Sequence, residues 1–240
     1  MSETATAMTN ANATMVRRRL ETPRAAAIAG IAFSVLLITS LTLLRISVPD
    51  NPLDAGTWLS SSSDKVVLAL NLIPFAGIAF LWFIGVIRDR IGELEDKFFA
   101  TVFLGSGLLF LAMMFAAVAV AGGLVIVYGQ DPNRLTSSGL YTFGRSVSYQ
   151  IMNVYAIKMA GVFMIATSTL AVRTEITPRW MSFTGYVLAL TLLLTLGLVD
   201  WISLVFPLWV LMISVHILVV NVRRQSGTGM TEVSEGTPLP

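Results

Sequence analysis

The chain of 240 residues contains no cysteine, a single histidine and few charged residues. Without cysteine it forms no disulfide, no thiolate metal site and no cysteine nucleophile. Charged residues make up 12% of the sequence, about half the usual share of a globular domain. The sequence also lacks a phosphate-binding loop, a zinc-protease helix motif and a nucleophile elbow. We therefore predict no enzyme, no catalytic residue, no cofactor and no metal site.

What the sequence does contain is a series of long apolar stretches. Hydrophobic residues make up 55% of the chain, and its mean hydropathy is +0.76. A helix needs about 20 apolar residues to cross a bilayer, and in lipid its backbone polar groups must be satisfied within the helix. Six stretches meet this length: residues 25–44, 66–87, 98–127, 149–172, 181–199 and 202–222. These stretches predict an all-α, polytopic membrane helical bundle with six transmembrane helices.

The polar segments at both ends differ in composition from this apolar domain. The first residues are rich in Thr, Ala and Asn, and the last are rich in Ser, Gly, Thr, Glu and Pro. Such segments lack the apolar content that folding requires. We predict a disordered tail at residues 1–24, a transmembrane domain at 25–224 and a second disordered tail at 225–240.

The basic residues predict the orientation in the membrane, because cytoplasmic loops carry an excess of Lys and Arg. If the N-terminus is cytoplasmic, four basic residues fall on the outside: Arg45, Lys65, Arg134 and Arg145. Eleven fall on the inside: Arg17, Arg18, Arg19, Arg24, Arg88, Arg90, Lys97, Arg173, Arg179, Arg223 and Arg224. The sequence thus predicts a multi-pass membrane protein with both termini in the cytoplasm.

Lys158 is the most conspicuous candidate for a functional residue. It lies about ten residues into the fourth stretch, where an ammonium group is costly and marks either an ion path or a buried partner. Since no acidic residue has a comparable depth, Lys158 must reach water, carbonyl groups, neutral polar groups or a partner subunit. Tyr155, three residues earlier, places a phenolic oxygen on the same face of the helix.

Asn71 and His216 are two further polar candidates within predicted spans. Asn71 lies three residues before Pro74, where a proline in a membrane helix can free backbone carbonyls for an ion. A proline kink with a satisfied asparagine explains the same pattern. His216 is the single histidine, and it is suited either to a proton relay or to a hydrogen bond with a neighbouring helix.

Three segments resemble those of multi-span bacterial membrane proteins of the domain-of-unknown-function kind. They are residues 22–30 (TPRAAAIAG), 92–99 (GELEDKFF) and 207–215 (PLWVLMISV). The resemblance covers the six spans without the tails, and it implies a multi-span helical fold. No catalytic or binding residue follows from it.

Two hypotheses for the function remain open. The first is permeation or transport of a small solute or ion through the bundle or an oligomer, with Lys158, Tyr155, Asn71 and His216 along the pathway. The second is a non-catalytic accessory or scaffold subunit of a membrane protein complex. Its small-residue helix faces would bind another membrane protein, and Lys158 would pair with a carboxylate of that partner. We expect membrane lipids and either a homo-oligomer or another membrane subunit as partners, and no nucleic acid.

Overall fold

The structure is a computed structural model that describes the backbone of residues 2–49, 56, 58–91, 97–137, 139–174, 178–194 and 201–234. Side-chain packing is described within residues 24–223, except at 50–55, 57, 89–99, 134, 136–138, 174–177 and 195–200. Every element in these ranges is helical. The α-helices are α1 (Ser2–Ser47), α2 (Trp58–Ser61), α3 (Ser63–Ile91), α4 (Lys97–Gln130), α5 (Pro132–Ser137), α6 (Leu140–Gln150), α7 (Ile157–Thr174), α8 (Arg179–Leu194) and α9 (Val205–Ser234). A π-helical segment (Ile151–Ala156) joins α6 to α7, and a 3-10 turn (Ile202–Leu204) precedes α9.

The lengths of these helices confirm the predicted class, a polytopic membrane helical bundle. Five helical segments are long and apolar enough to cross a membrane: Arg24–Ser47, Ser63–Arg88, Ala100–Gln130, Leu140–Arg173 and Ile202–Arg223. The fifth of the six predicted spans corresponds to α8, whose 16 residues extend about 24 Å at the rise of an α-helix. Its predicted end falls on residues 195–200, which lie outside the described part of the chain. The protein is a multi-pass membrane protein.

Neither predicted tail is tested as such. The helix α1 begins at Ser2 and therefore includes the backbone of the predicted N-terminal tail, but side chains are described only from Arg24 onward. Side chains beyond Arg223 are likewise outside the described part. Disorder of the two tails and the predicted domain bounds stay predictions.

The first helix runs antiparallel to α3 and to α9. Ser40 of α1 donates a hydrogen bond to the Ala69 carbonyl of α3 at 2.7 Å, whereas Gly30, earlier in α1, faces Phe83, later in α3. Gly30 also faces Ser214 of α9. Phe33, which comes later in α1 than Gly30, contacts Phe206, which comes earlier in α9 than Ser214. The helices α1 and α9 are therefore antiparallel as well. The first and last spans therefore place Arg24 and Arg223 at the same end of the bundle.

Phenylalanine side chains from five helices meet at the centre of the bundle. Phe80 is fully buried, and its ring centroid lies 4.5 Å from that of Phe33 and 5.1 Å from that of Phe163. Phe110 and Phe206 are 4.8 Å apart and both contact Phe80. We call the whole set the aromatic cluster: Phe33, Phe80, Phe83, Phe103, Phe110, Phe163 and Phe206. It closes the middle of the bundle.

One predicted loop is largely helical. The apolar pattern begins the fourth span at Tyr149, but the structure begins the same span at Leu140 and extends α4 to Gln130. The sequence of α6 is amphipathic, and it buries Tyr141, Gly144 and Ser148. Gly144 lies against Leu124 of α4, so α6 packs on the bundle although its mean hydropathy is low.

We expect Gly30→Leu to destabilise the bundle. A Cβ at this position would lie 2.0 Å from Ser214 Oγ and 2.8 Å from a carbon of the Phe83 ring, and overpacking of this kind costs about 1–3 kcal/mol. Gly85→Leu is the matched control, because its Cβ would meet nothing within 4 Å. The midpoint of thermal denaturation in detergent should fall for Gly30→Leu only. Equal midpoints for both variants would show that α1 does not pack against α3 and α9 in this way.

Candidate functional site

A cavity of about 390 Å³ lies between α1, α3, α4, α6 and the π-helical segment. It lies at the C-terminal end of α1, which is the end of the bundle away from Arg24 and Arg223. Its volume is within the range of small-molecule sites, about 300–1,000 Å³. The residues that line it are Leu41, Leu44, Arg45, Val48, Pro49, Trp58, Val66, Leu70, Ala117, Val118, Ala121, Leu124, Arg145, Ser146, Ser148, Tyr149, Gln150, Met152, Asn153 and Ser203.

A hydrogen-bonded network forms one wall of this cavity. The Tyr141 hydroxyl accepts a hydrogen bond from Trp58 Nε1 at 2.7 Å and another from Arg145 Nη1 at 3.2 Å. Arg145 Nη2 also donates to the Pro49 carbonyl. The Arg145 guanidinium carbon lies 6.0 Å from the centre of the Tyr141 ring, within reach of a cation–π interaction. These contacts hold the guanidinium in one position at the cavity wall.

The charged residues among those that line the cavity are all basic. Arg45, in the last turn of α1, and Arg145, on α6, are the charged residues among those that line the cavity, and this set contains no Asp or Glu. The rest of the lining is mostly aliphatic or aromatic, and the low dielectric of such walls strengthens the field of a charged group. The described lining therefore combines two basic side chains with a mostly apolar surface.

The π-helical segment forms the wall of the cavity that reaches farthest into the bundle. Ser148 anchors α6 just before this segment, because its hydroxyl donates to the Ala117 carbonyl of α4 at 2.9 Å. Met152 and Asn153 belong to the segment and line the cavity. Single π turns inside α-helices are rare and frequently occur at functional sites. Here the π turn directs Met152 and Asn153 toward the space between α1 and α4.

A second, much smaller space adjoins the cavity on the side of the aromatic cluster, and we call it the narrow extension. Leu41, Met152 and Ser203 line both the cavity and a second space of about 10 Å³, which has room for about one water molecule. Phe110 and Phe206 of the aromatic cluster line that second space. The cavity thus ends against the closed centre of the bundle.

The structure gives Lys158 a backbone partner. Its ammonium donates a hydrogen bond to the Leu193 carbonyl at 3.2 Å, and Leu193 belongs to the last described turn of α8. This hydrogen bond joins α7 to α8, and Lys158 is not among the residues that line the cavity.

The other three predicted site residues do not converge with Lys158 or with the cavity. Tyr155 lies in the π-helical segment with 58% of its surface exposed. Asn71 is exposed, and its amide donates to the Val67 carbonyl one turn earlier at 2.9 Å, while α3 continues through Pro74. His216 is half-buried on α9. Their assignment to a pathway stays a prediction.

The residues of the hydrogen-bonded wall, and Arg45 beside it, are not among the site residues predicted from the sequence. Tyr141 and Arg145 fall in the predicted loop, and Arg45 is treated only as a flanking charge. A signal for α6 exists in the spacing of Tyr141, Gly144 and Ser148, which places these residues on one helical face. This signal is weak beside the apolar spans, because only 11 residues carry it.

Comparison of the chain with protein-family models, with curated proteins and with solved structures finds no match.

Tyr141→Phe should destabilise the cavity wall. The substitution removes the acceptor of the Trp58 N–H, and Trp58 is only 8% exposed. A buried donor that loses its partner costs about 1–3 kcal/mol. Tyr155→Phe is the control, since Tyr155 is largely exposed. We expect a lower midpoint of thermal denaturation for Tyr141→Phe than for Tyr155→Phe, and identical midpoints would argue against the network.

Proposed function

We propose that the protein allows permeation or transport of a small solute or ion across the membrane, with the cavity as its entry. The observation that carries this proposal is that a cavity of about 390 Å³ shares Leu41, Met152 and Ser203 with the narrow extension, which Phe110 and Phe206 of the aromatic cluster also line. A cavity at one end and a closed centre are what an alternating or gated pathway requires in one of its states. No catalytic role is proposed.

The contact between the narrow extension and the aromatic cluster supports a gate. Phe110 on α4 and Phe206 on α9 line the extension, and their ring centroids lie 4.8 Å apart. Both rings are almost fully buried. A hydrophobic constriction of this kind blocks water and ions until its side chains separate. We infer that passage requires these two rings to move apart.

The position of Lys158 supports its place among the pathway candidates. Ile157 and Ala160 on α7 line the narrow extension, as does Leu192 on α8. Lys158 lies between the first two in sequence, and its ammonium binds the carbonyl of the residue after Leu192. Lys158 is thus next to the extension, and a small movement of α8 would bring its charge into the pathway. Tyr155, Asn71 and His216 stay further candidates.

With both termini cytoplasmic, as the basic residues predict, the cavity opens toward the outside of a bacterial cytoplasmic membrane. Solutes would then enter from the outside and meet the aromatic cluster at the middle of the bilayer.

Flux into proteoliposomes tests the proposal. Stopped-flow light scattering measures the entry of glycerol, potassium glutamate and potassium phosphate after an osmotic jump. We expect entry of at least one probe above that of protein-free liposomes. Phe110→Ala should raise this entry severalfold, because it removes a ring of the constriction, and Lys158→Met should lower it.

Phe183→Ala is the matched control for the loss of a ring, since Phe183 on α8 is 68% exposed. It should leave the entry rate unchanged. If neither the wild-type protein nor Phe110→Ala admits any probe, the proposal of permeation is wrong.

A second candidate function is that of an accessory or scaffold subunit, and one face of α4 favours it. Ala112, Ala116, Ala119 and Gly123 are exposed on this helix, and a Cβ at Gly123 would meet nothing within 4 Å. Small residues at this spacing let the backbones of two membrane helices approach closely. Absence of flux, together with stable co-purification of another membrane protein that Ala116→Leu abolishes, would support this role.

A further inference from the structure

We propose that the cavity binds an anionic amphiphile, with a carboxylate or phosphate head group at Arg145 and an apolar chain between α1, α4 and the π-helical segment. This inference names the substrate class of the cavity and rests on the proposed function for its physiological meaning. The binding itself is tested separately from transport.

The head group is argued from the charges and donors of the wall. Arg145 gives the wall of the cavity a guanidinium, and none of the described lining residues is acidic. A guanidinium carries five N–H donors, and the described contacts of Arg145 use two of them, to Tyr141 and Pro49. The hydrogen bonds to Tyr141 and Pro49 also fix the plane of the Arg145 guanidinium. A preorganised guanidinium binds carboxylate or phosphate oxygens in a bidentate manner.

The apolar chain is argued from the remaining walls. From Arg45 the cavity extends one helical turn inward to Leu41, and the opposite walls are Ala117 and Ala121 of α4 and Met152 of the π-helical segment. The volume of about 390 Å³ lies in the range of small-molecule sites, about 300–1,000 Å³. A single chain of medium length therefore fits, whereas a small inorganic anion would leave most of the apolar wall without a contact.

The arrangement also orients the ligand. Both arginines lie at the end of the bundle, whereas Leu41, Met152 and Ser203 lie toward the aromatic cluster. An amphiphile would thus have its head at the membrane surface and its chain directed into the bundle. A free amphiphilic solute and a fatty acid released from the bilayer present the same chemistry to this site.

Calorimetric titration of the protein in nanodiscs of zwitterionic lipid tests the binding, with empty nanodiscs subtracted. The probes are decyl phosphate, inorganic phosphate, decanol and decyltrimethylammonium. We expect saturable binding of decyl phosphate, at least tenfold tighter than that of each of the other three. Equal binding of inorganic phosphate would show a site for the head group alone. Equal binding of decanol or of the cationic amphiphile would show that charge does not select the ligand, and either result overturns the proposal.

Arg145→Gln should weaken the binding of decyl phosphate at least tenfold, the loss expected for charge-assisted hydrogen bonds. Arg88→Gln, an exposed arginine at the other end of α3, is the control and should bind as the wild-type protein does. Because Arg145 also holds the wall, Ala121→Phe provides a second variant that fills the space for the chain. It should abolish the binding of decyl phosphate, and unchanged binding in Ala121→Phe would overturn the proposal.

Decyl phosphate added from solution is compared with decyl phosphate already incorporated in the nanodisc lipid to distinguish the two sources. Binding from the aqueous phase before partition into the nanodisc indicates a free solute, whereas binding that tracks the membrane-bound fraction indicates a bilayer amphiphile. Specific binding without any flux would sustain this inference and defeat the proposed permeation. Flux of a probe without binding of decyl phosphate would sustain the proposed permeation and overturn this inference.

Discussion

Contacts among buried phenylalanine rings organise this bundle, because lipid removes the usual reason for a protein to have an apolar interior. Lipid tails are as apolar as the core, so helices in a membrane associate through close packing and hydrogen bonds. Phe80 provides this packing, since it contacts Phe33, Phe83, Phe110, Phe163 and Phe206. Aromatic pairs contribute about 0.5–1.5 kcal/mol each beyond the area they bury. Five helices, α1, α3, α4, α7 and α9, meet at this cluster.

The cavity is a consequence of how α6 and the π-helical segment pack around this centre. Near the aromatic cluster, Gly107 of α4 lies against Phe163 of α7, so that these helices are close. At the other end Gly144 and Ser148 hold α6 against α4. Between these contacts the π-helical segment changes the register of the helix. Met152 and Asn153 of this segment line the cavity together with residues of α1 and α3.

The sequence predicts the spans well and the packing poorly, and both results have the same cause. An apolar stretch of about 20 residues identifies a crossing helix because the bilayer demands that length. The same lipid makes the two faces of such a helix alike. In α4, Leu111 is buried while Leu108 and Leu109 are exposed, and no chemical difference separates them. The location of the cavity depends on these faces, and hence it could not be predicted. The amphipathic helix α6 is the exception, since Tyr141, Gly144 and Ser148 mark its buried face.

The positions of two basic residues relate the predicted orientation to the cavity. Lys and Arg are disfavoured in outside loops, and the predicted topology places only four of them there. Two of these four, Arg45 and Arg145, line the cavity. Arg145 is also held by Tyr141 and Pro49, although orientation alone would be served better without it. A charge that opposes the orientation signal and is fixed at a cavity wall has a local reason to be there. The two basic residues that depart from the rule for positive charges thus lie at the candidate site.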